Sequence, residues 1–261
     1  MHKVEPKVFL IGETRVVEEG LKAYLEHIGV PEWNSDAPTD SERLIELYGR
    51  LCYRSFKPGL NANVIKIRER NSDYISNIFS VKHGSVLEHP VFNFILADVS
   101  RVFTHELVRH RVGVGISQES LRFVRLEDLG QWLPTVISEN EKAVEIFART
   151  FEELENLQLK LAKLFELDSP GKPFNEKKVI TSAIRRIAPL GLATTIGWSA
   201  NPRTIRWLLE LRTHPSAEEE IRLVFGKIGE IVTRRYPNLF SDFTSEIIDG
   251  HAWYKSPNSK A

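Results

Sequence analysis

The 261-residue chain contains very little cysteine, and Cys52 is its single one. One cysteine forms no disulfide within the chain and does not build a cysteine-rich metal site. The sequence also lacks a charge excess of either sign, with 35 Lys and Arg against 35 Asp and Glu. This balance argues against bulk electrostatic binding, so we expect no nucleic-acid partner.

Long apolar runs are missing as well. No segment approaches the roughly 18 to 20 apolar residues that span a bilayer. The N-terminal residues lack the apolar stretch and the small-residue cleavage site of a signal peptide. We therefore expect no membrane partner and a cytoplasmic location.

With 42% hydrophobic residues, the chain is long enough to bury a substantial core. Its patterning predicts an α+β fold, a single domain with a central, mostly antiparallel sheet flanked by helices. The longest helix is predicted near 139–167, opened by a Ser138-x-x-Glu141 capping box. We expect one domain over 1–250 and a C-terminal tail over 251–261.

Shorter elements follow from the same patterns. Ser100 is predicted to cap a helix that runs to about residue 111, and Gly113 then opens a loop that lasts until residue 117. Asn201 and Pro202 are predicted to begin a further helix. The predicted strands cover 8–11, 89–97 and 190–199, and the other predicted helices cover 41–51, 71–79, 177–187 and 216–237.

Four polar regions stand out because neither a core nor a plain solvated face requires them. They are the segment 83–89, the segment 105–111, the loop 113–122, and the arginines Arg185, Arg186, Arg203, Arg206 and Arg212. The neutral total therefore conceals local concentrations of arginine. Arginine forms bidentate bonds to phosphate and carboxylate, so the pattern predicts a pocket for small anions.

A metal site is the first alternative, because the segment 105–111 resembles the HExxH motif of zinc proteases. That motif places two histidines four residues apart on one helical face. Here His105 and His110 are five apart, which is about 500° of helix, so their rings point about 140° apart. We therefore expect no metal site.

Structural roles are the second alternative. Arg109 and Arg111 follow a predicted helix and are placed to interact favourably with its dipole. The arginines over 203–212 are compatible with the wet face of an amphipathic helix. Arg212 is the exception, because it falls seven residues after Ile205, on the side predicted to be buried, where an arginine needs an anionic partner.

The segment 109–123 carries a family resemblance. Arg109-His110-Arg111, then Ser120-x-Arg122-Phe123, resembles the signature of the flavin-dependent thymidylate synthases. The family separates Arg-His-Arg from the Ser by seven residues, whereas eight stand here, which we interpret as a one-residue insertion within 112–115. Further blocks of the chain resemble the family in the same order: 51–53, 83–89, 185–189, 201–212 and 217–222.

The resemblance implies an activity and its ligands. Such enzymes methylate dUMP to dTMP, with methylenetetrahydrofolate as carbon donor and NADPH as reductant through bound FAD. They are homotetramers with active sites at subunit interfaces. The domain over 1–250 is then the catalytic domain. Flavin chemistry also removes the need for a cysteine nucleophile, in keeping with a single cysteine that lies outside the active-site blocks.

Site residues follow by position in the matching blocks. Arg212 is implied to be catalytic, facing the pyrimidine and favouring ionisation at its N3. The implied dUMP residues are Glu106, Arg109, Gln118, Ser120, Arg122, Arg185 and Arg212. The implied FAD residues are His83, Ser85, Arg109, His110, Arg111, Gln118, Asn201, Arg203 and Trp207.

Two other function classes remain open at this point. A non-catalytic RNA- or nucleotide-binding protein would use the arginine-rich helices, but the sequence has no basic stripe with stacking aromatics. A metal hydrolase would contain zinc and lose activity with a chelator.

Overall fold

The computed structural model describes residues 2–123 and 128–258. Within them the helices are α1 (Glu18–His27), α2 (Asp40–Tyr53), α3 (Asn71–Ser80), α4 (Arg101–Leu107), α5 (Thr135–Ser138), α6 (Glu141–Leu164), α7 (Phe174–Ile184), α8 (Pro202–Arg212) and α9 (Glu219–Arg235). Short 3-10 helices cover Gly84–Glu88 and Arg185–Ile187. The strands are β1 (His2–Lys3), β2 (Lys7–Glu13), β3 (Phe92–Ser100), β4 (Val114–Gln118), β5 (Gly130–Gln131), β6 (Ala193–Ala200), β7 (Thr244–Ile248) and β8 (His251–Lys255).

The central sheet has the strand order β2-β3-β6-β4. Burial alternates along β6, with Thr194, Ile196, Trp198 and Ala200 buried, as expected for a strand with one face on the core. An antiparallel sheet flanked by helices is the α+β fold that the sequence predicts, and the prediction is confirmed.

Contacts within the chain divide it into two compact units. The first unit comprises Met1–Phe9, Ile95–His110 and Ile116–Trp198. The second comprises Leu10–Phe94, Arg111–Gly115 and Ser199–Ala261. The assignment of 1–250 to one catalytic domain stays a prediction.

The long helix is confirmed as α6, but its predicted cap is wrong. Thr135–Ser138 forms the separate helix α5, so Ser138 ends one helix and does not begin another. Asn140 has extended backbone angles, and its side chain accepts a hydrogen bond from the Ala143 amide at 3.1 Å. Asn140 is therefore the N-cap of α6.

The C-terminal segment differs from the predicted tail. Residues 251–255 form β8, which pairs antiparallel with β7 across an Asp249-Gly250 turn. Both turn residues have positive φ, 52° and 77°, the backbone that Asp-Gly supplies in a two-residue hairpin. Beyond the strand, Ser256 donates its hydroxyl to Asp242 at 2.7 Å, and its amide donates to Glu210 at 3.1 Å.

A second difference concerns the residues after Gly113, which the sequence predicts as a loop. Val114–Gln118 forms β4, at one edge of the central sheet beside β6. Its neighbours on β6 are small: a Cβ added at Gly197 would lie 3.8 Å from the Ser117 Cβ, at ordinary van der Waals distance. Glycines that indicate a loop from sequence thus lie within or beside a strand.

Candidate active site

The start of α8 builds one part of the candidate site, in the second unit. The Asn201 side chain caps the helix by accepting a hydrogen bond from the Thr204 amide at 2.9 Å, as predicted. The Thr204 hydroxyl donates to the Val112 carbonyl at 2.9 Å. Gly113 has φ +70°, and a Cβ there would lie 2.4 Å from Asn201 Nδ2, so glycine alone fits this contact.

A cavity of about 410 Å³ elsewhere in this unit is lined by Leu10, Ile11, Gly12, Glu13, Arg15 and Arg235, none of which is a predicted site residue. The α8 cavity has a volume of about 220 Å³ and is lined by Glu88, Val112, Gly113, Asn201, Arg203, Thr204 and Trp207. Arg203 forms an ion pair with Glu88 at 2.5 Å. Trp207, on the same helix, is 45% exposed. The cavity thus presents a cation, an aromatic ring and the N-terminal end of an 11-residue helix, a combination that suits a phosphorylated aromatic ligand.

The structure places the other two predicted FAD residues of this unit apart from that cavity. His83 is half-buried and lines a different cavity of about 390 Å³, where its ring meets the Tyr53 ring edge-on at 5.7 Å. Ser85 is exposed on the 3-10 helix Gly84–Glu88, whose last residue pairs with Arg203. The predicted FAD set is therefore brought together at Asn201, Arg203 and Trp207, with His83 in a neighbouring segment.

The run 109–111 follows α4. Arg109 and Arg111 are exposed, whereas His110 is 8% exposed and counts as buried. The amides of Arg109 and His110 donate to the Glu106 and Leu107 carbonyls, so the helix ends in a tight turn that fixes the main chain of this run. The two guanidinium groups therefore project from a rigid turn.

In the first unit, a turn over 119–123 carries the next predicted residues. The Phe123 amide donates to the Ser120 carbonyl at 2.9 Å, which closes the turn. The Arg122 carbonyl accepts the Thr181 hydroxyl of α7 at 2.8 Å. Thr181 precedes Arg185 by four residues, about one helical turn, so α7 brings Arg122 and Arg185 to the same region.

Gln118 and Arg101 lie beside that turn. Gln118 Nε2 donates to the Thr104 hydroxyl at 3.2 Å, and Arg101 donates to the Glu119 carbonyl at 3.3 Å. Burial lowers the pKa of the Arg101 guanidinium, and the charge of Arg185 lowers that pKa further. Arg101, Arg122 and Arg185 together form what we call the arginine cluster.

The arginine cluster has few carboxylates near it. Within residues 2–123 and 128–258, no carboxylate forms an ion pair with Arg122 or Arg185. The charge of Glu119 raises the pKa of Arg101, whose buried Nε atom has no hydrogen-bond partner in those residues. Guanidinium groups without a paired carboxylate are suited to bind an anion.

Arg101 belongs to the arginine-rich part of the sequence that predicts an anion pocket, but it is not among the dUMP or FAD residues that the resemblance implies. The residue follows the helix cap Ser100. Its position beside Glu119 depends on the fold of β4 and its turn, which the sequence predicts as a loop. Local pattern therefore could not bring Arg101 to Arg185.

The remaining predicted residues are Glu106 and Arg212. Glu106 is half-buried in the last turn of α4, and Arg212 is half-buried as the last residue of α8. The sequence predicts that Arg212 is the buried arginine of α8. Arg212 is only half-buried, and the buried arginine is Arg206, at 3% exposure. Asp242 accepts two hydrogen bonds from Arg206, both at 2.7 Å, and is the anionic partner that a buried arginine needs.

In the part of the chain that the structure describes, no group of three or more His, Cys, Asp or Glu is placed to hold a metal. In the same part, none of the helices combines the length and the apolar character that crossing a membrane takes.

The α8 cavity and the arginine cluster are thus the two places in the described chain where the predicted site residues gather. Comparison with known proteins gives the family. A family model described as thymidylate synthase complementing protein matches residues 35–238. The flavin-dependent thymidylate synthase of Corynebacterium diphtheriae is 34% identical over 232 residues, which cover 87% of this chain and 89% of that protein. The chain belongs to the flavin-dependent thymidylate synthase family.

Other similar proteins agree. The flavin-dependent thymidylate synthase of Mycolicibacterium vanbaalenii is 32% identical over 86% of this chain and 88% of its own length. The crystal structure of thymidylate synthase X from Helicobacter pylori with FAD and dUMP is 21% identical, with a TM-score of 0.59 over 91% of this chain and 98% of that one. The UMP/dUMP methylase PolB from Streptomyces cacaoi is 13% identical, with a TM-score of 0.63 over 92% and 96%. At these identities the two structures show the fold alone.

Proposed function

We propose that the protein is an FAD-dependent thymidylate synthase. It methylates dUMP to dTMP, with methylenetetrahydrofolate as carbon donor and NADPH as reductant. Family membership supports the reaction class, and the observation that carries the proposal to this chain is the arginine cluster beside the turn 119–123. A nucleoside monophosphate brings nearly two negative charges, which a surplus of guanidinium groups can neutralise.

For dUMP, the proposed residues divide by chemistry. Arg122 and Arg185 bind the phosphate, with Arg101 added from the structure, because all three are held near one turn. Gln118 and Ser120 supply neutral donors and acceptors at the same turn. Glu106 and Arg109 bind from the end of α4.

Arg212 is proposed to face the pyrimidine. A fixed guanidinium stabilises negative charge that develops on the ring, and therefore favours ionisation at N3. Its position at the last residue of α8 keeps its main chain rigid. Water screens the charge of this half-buried side chain less than it screens the charge of a surface arginine, which strengthens the electrostatic effect.

For FAD, we tested whether the residues present fit the group. The α8 cavity has groups that suit FAD: Arg203, which is paired with Glu88, supplies a guanidinium, and Trp207 supplies an aromatic ring. Arg203 and Asn201 would hold the phosphates and Trp207 a ring, with further contacts proposed from His83, Ser85, Arg109, His110, Arg111 and Gln118. When bound, FAD supplies the two-electron chemistry that delivers reducing equivalents from NADPH.

No cysteine nucleophile is proposed. Cys52 is exposed near the end of α2 and has no proposed contact with dUMP or FAD. We therefore expect Cys52→Ser to leave turnover unchanged.

We further propose a cytoplasmic homotetramer with active sites at subunit interfaces. Support comes from α6, a 24-residue helix on which large apolar side chains remain exposed in the single chain. They are Ile146 at 64%, Phe147 at 38%, Leu157 at 42%, Leu159 at 42% and Leu164 at 72% exposure. Apolar surface of this extent marks an association surface.

The deciding experiment is a single-turnover assay on protein whose bound flavin has been reduced, with dUMP and methylenetetrahydrofolate added. We expect dTMP from the wild type and a strongly reduced rate from Arg212→Ala. The matched control is Arg234→Ala, an exposed arginine on α9 that has no proposed role. A protein that takes up no FAD, or that forms no dTMP, would contradict the proposed function, and an unimpaired Arg212→Ala would contradict the role of Arg212 alone.

A further inference from the structure

Glu119 stands between Gln118 and Ser120, which are both proposed to bind dUMP, but it is not itself among the residues proposed to bind a ligand. The residue is exposed, yet its carboxylate is bonded within the first unit. Glu119 Oε2 accepts the Thr195 amide at 3.0 Å, and the Thr194 hydroxyl donates to the same oxygen at 3.5 Å. The carboxylate therefore joins the turn after β4 to the start of β6.

The bonds between Glu119 and Thr195 depart from the pattern of an antiparallel ladder. In a hydrogen-bonded pair of such a ladder, each of two opposite residues donates its amide to the carbonyl of the other. The Glu119 amide donates to the Thr195 carbonyl at 3.0 Å, as in such a pair. The Thr195 amide donates to the Glu119 carboxylate, where a regular pair would use the Glu119 carbonyl. The side chain of Glu119 thus takes the place of its own carbonyl.

The carbonyl that this exchange releases holds Arg101 of the arginine cluster. Arg101 Nη2 donates to the Glu119 carbonyl at 3.3 Å. The main chain of Arg101 is fixed as well, because its amide donates to the Leu192 carbonyl at 3.1 Å. Burial and the charge of Arg185 lower the pKa of Arg101, and the charge of Glu119 opposes both effects. Glu119 therefore supplies Arg101 with a hydrogen-bond acceptor and with a compensating charge.

We propose that Glu119 is a positioning residue for the dUMP site: its carboxylate replaces its carbonyl at Thr195, so that the carbonyl holds the Arg101 guanidinium at the arginine cluster. The inference rests on the proposed function, because it takes this cluster as the site of the nucleotide phosphate. Glu119 does not bind the phosphate itself, since two anions repel each other. It acts through Arg101, whose long side chain loses less rotamer entropy on binding when it is held beforehand.

The test compares two substitutions of Glu119 that separate its hydrogen bond from its charge. Glu119→Gln keeps an oxygen that can accept the Thr195 amide, whereas Glu119→Ala removes the acceptor. The matched control is Asp36→Ala, because Asp36 is also exposed and also accepts a main-chain amide, that of Asn71, at 2.7 Å. The measurement is equilibrium binding of dUMP to the FAD-loaded protein by titration calorimetry.

We expect the Kd of dUMP to rise about tenfold in Glu119→Ala and to change less than about threefold in Glu119→Gln and in Asp36→Ala. Amide hydrogen exchange at Thr195 should be faster in Glu119→Ala than in the wild type and the other two variants. Unchanged dUMP binding in Glu119→Ala would overturn the proposal. So would equally weak binding in Glu119→Gln, or an equal loss in Asp36→Ala.

A double-mutant cycle tests whether Glu119 acts through Arg101. If it does, Glu119→Ala/Arg101→Ala should bind dUMP no more than about threefold more weakly than Arg101→Ala alone. If the two increases in Kd multiplied, Glu119 would act independently of Arg101, and the proposal would be wrong.

The same titrations keep this proposal apart from the proposed function. If the wild type binds dUMP but forms no dTMP, the proposed function fails, and the titrations still decide the role of Glu119. If the wild type forms dTMP and Glu119→Ala binds dUMP normally, only the role of Glu119 fails. Absence of dUMP binding in the wild type would overturn both.

Discussion

Arginine occurs in two contrasting settings in this molecule. In the second unit, Arg50 and Arg206 are buried, and each meets a carboxylate: Arg50 pairs with Glu46 at 2.7 Å and Arg206 with Asp242 at 2.7 Å. In the first unit, Arg122 and Arg185 are exposed, and within the described ranges neither pairs with a carboxylate. The same residue type is paired with a carboxylate in one setting and has no such pair in the other.

The difference separates stability from binding. A buried guanidinium without a partner would cost several kcal/mol, so Arg50 and Arg206 are retained together with their anions. An exposed cluster of like charges gains nothing for the folded state, since its members repel one another. The arginine cluster therefore points to an anionic ligand, and each prediction below tests one side of this contrast.

The largest effect is expected from Arg50→Met. The change leaves the Glu46 carboxylate, at 1% exposure, without its cation, and it removes both bonds to the loop 55–68. We expect the free energy of unfolding to fall by about 3 to 5 kcal/mol, measured by denaturant unfolding.

Two further variants make this test specific. Arg149→Met removes an ion pair with Glu153 whose side chains are 81% and 68% exposed, and should cost under about 0.5 kcal/mol. Glu46→Gln/Arg50→Met removes both charges and should cost less than Arg50→Met alone. If Arg50→Met were as mild as Arg149→Met, the contrast between buried and exposed arginines would be lost.

The second prediction concerns Arg185→Ala. A charged hydrogen bond to phosphate contributes about 1.5 to 3 kcal/mol, so the KM of dUMP should rise roughly 10- to 100-fold in steady-state assays. Stability should not fall, because the positive charge of Arg185 opposes that of Arg101.

Arg186→Ala is the matched control for that variant. Arg186 is the neighbouring exposed arginine, and its guanidinium donates to the Ser182 carbonyl at 2.9 Å. We expect the KM of dUMP to change less than about twofold. If Arg185→Ala unfolded more easily than the wild type but bound dUMP normally, Arg185 would support the fold and would not bind the ligand.

The smallest effect is expected at Arg235, which is half-exposed and donates to Glu13 at 2.7 Å. That hydrogen bond lowers the pKa of Glu13 from 4.5, against the opposing effect of burial. Because the pKa of Glu13 is lower in the folded state than in the unfolded state, ionised Glu13 stabilises the fold at pH values above the unfolded-state pKa. This stabilisation is lost as the pH falls through the folded-state pKa.

Arg235→Gln should therefore lower the free energy of unfolding by about 0.2 to 1 kcal/mol at neutral pH. The difference from the wild type should shrink as the pH falls below 4.5. Arg234→Gln serves as control and should show no such pH dependence. If the difference in free energy of unfolding stayed constant with pH, the hydrogen bond between Arg235 and Glu13 would not be its cause.

Local sequence signals predicted the helix starts where one side chain suffices. Ser100 accepts the Phe103 amide at 3.1 Å, and Asn201 accepts the Thr204 amide, as the sequence indicated. The cap of α6 was misassigned because Ser138 and Asn140 are both good caps, and the preceding helix α5 decides between them. Asp249-Gly250 is a sequence signal for a two-residue hairpin, and β7 and β8 are the strands that it joins.

The candidate site was predictable only as a set of residue types. Helical periodicity placed Arg212 on the buried side of α8, yet Arg206 is the deeply buried one, because Asp242 lies far along the chain. Likewise β4 forms through pairing with β6, a contact between distant residues that glycines in the segment conceal. Which arginine binds a ligand and which supports the fold depends on these long-range partners.

The hydrogen bonds of Asp242 bear on how the chain is made. Asp242 accepts hydrogen bonds from Arg206 of α8, from the Ser256 hydroxyl and, at 2.9 Å, from the Asn258 side chain. Because synthesis proceeds from the N-terminus, Ser256 and Asn258 leave the ribosome well after α8 does. The helix that carries Asn201, Arg203 and Trp207 therefore gains its full set of anchoring hydrogen bonds only after these later residues have emerged.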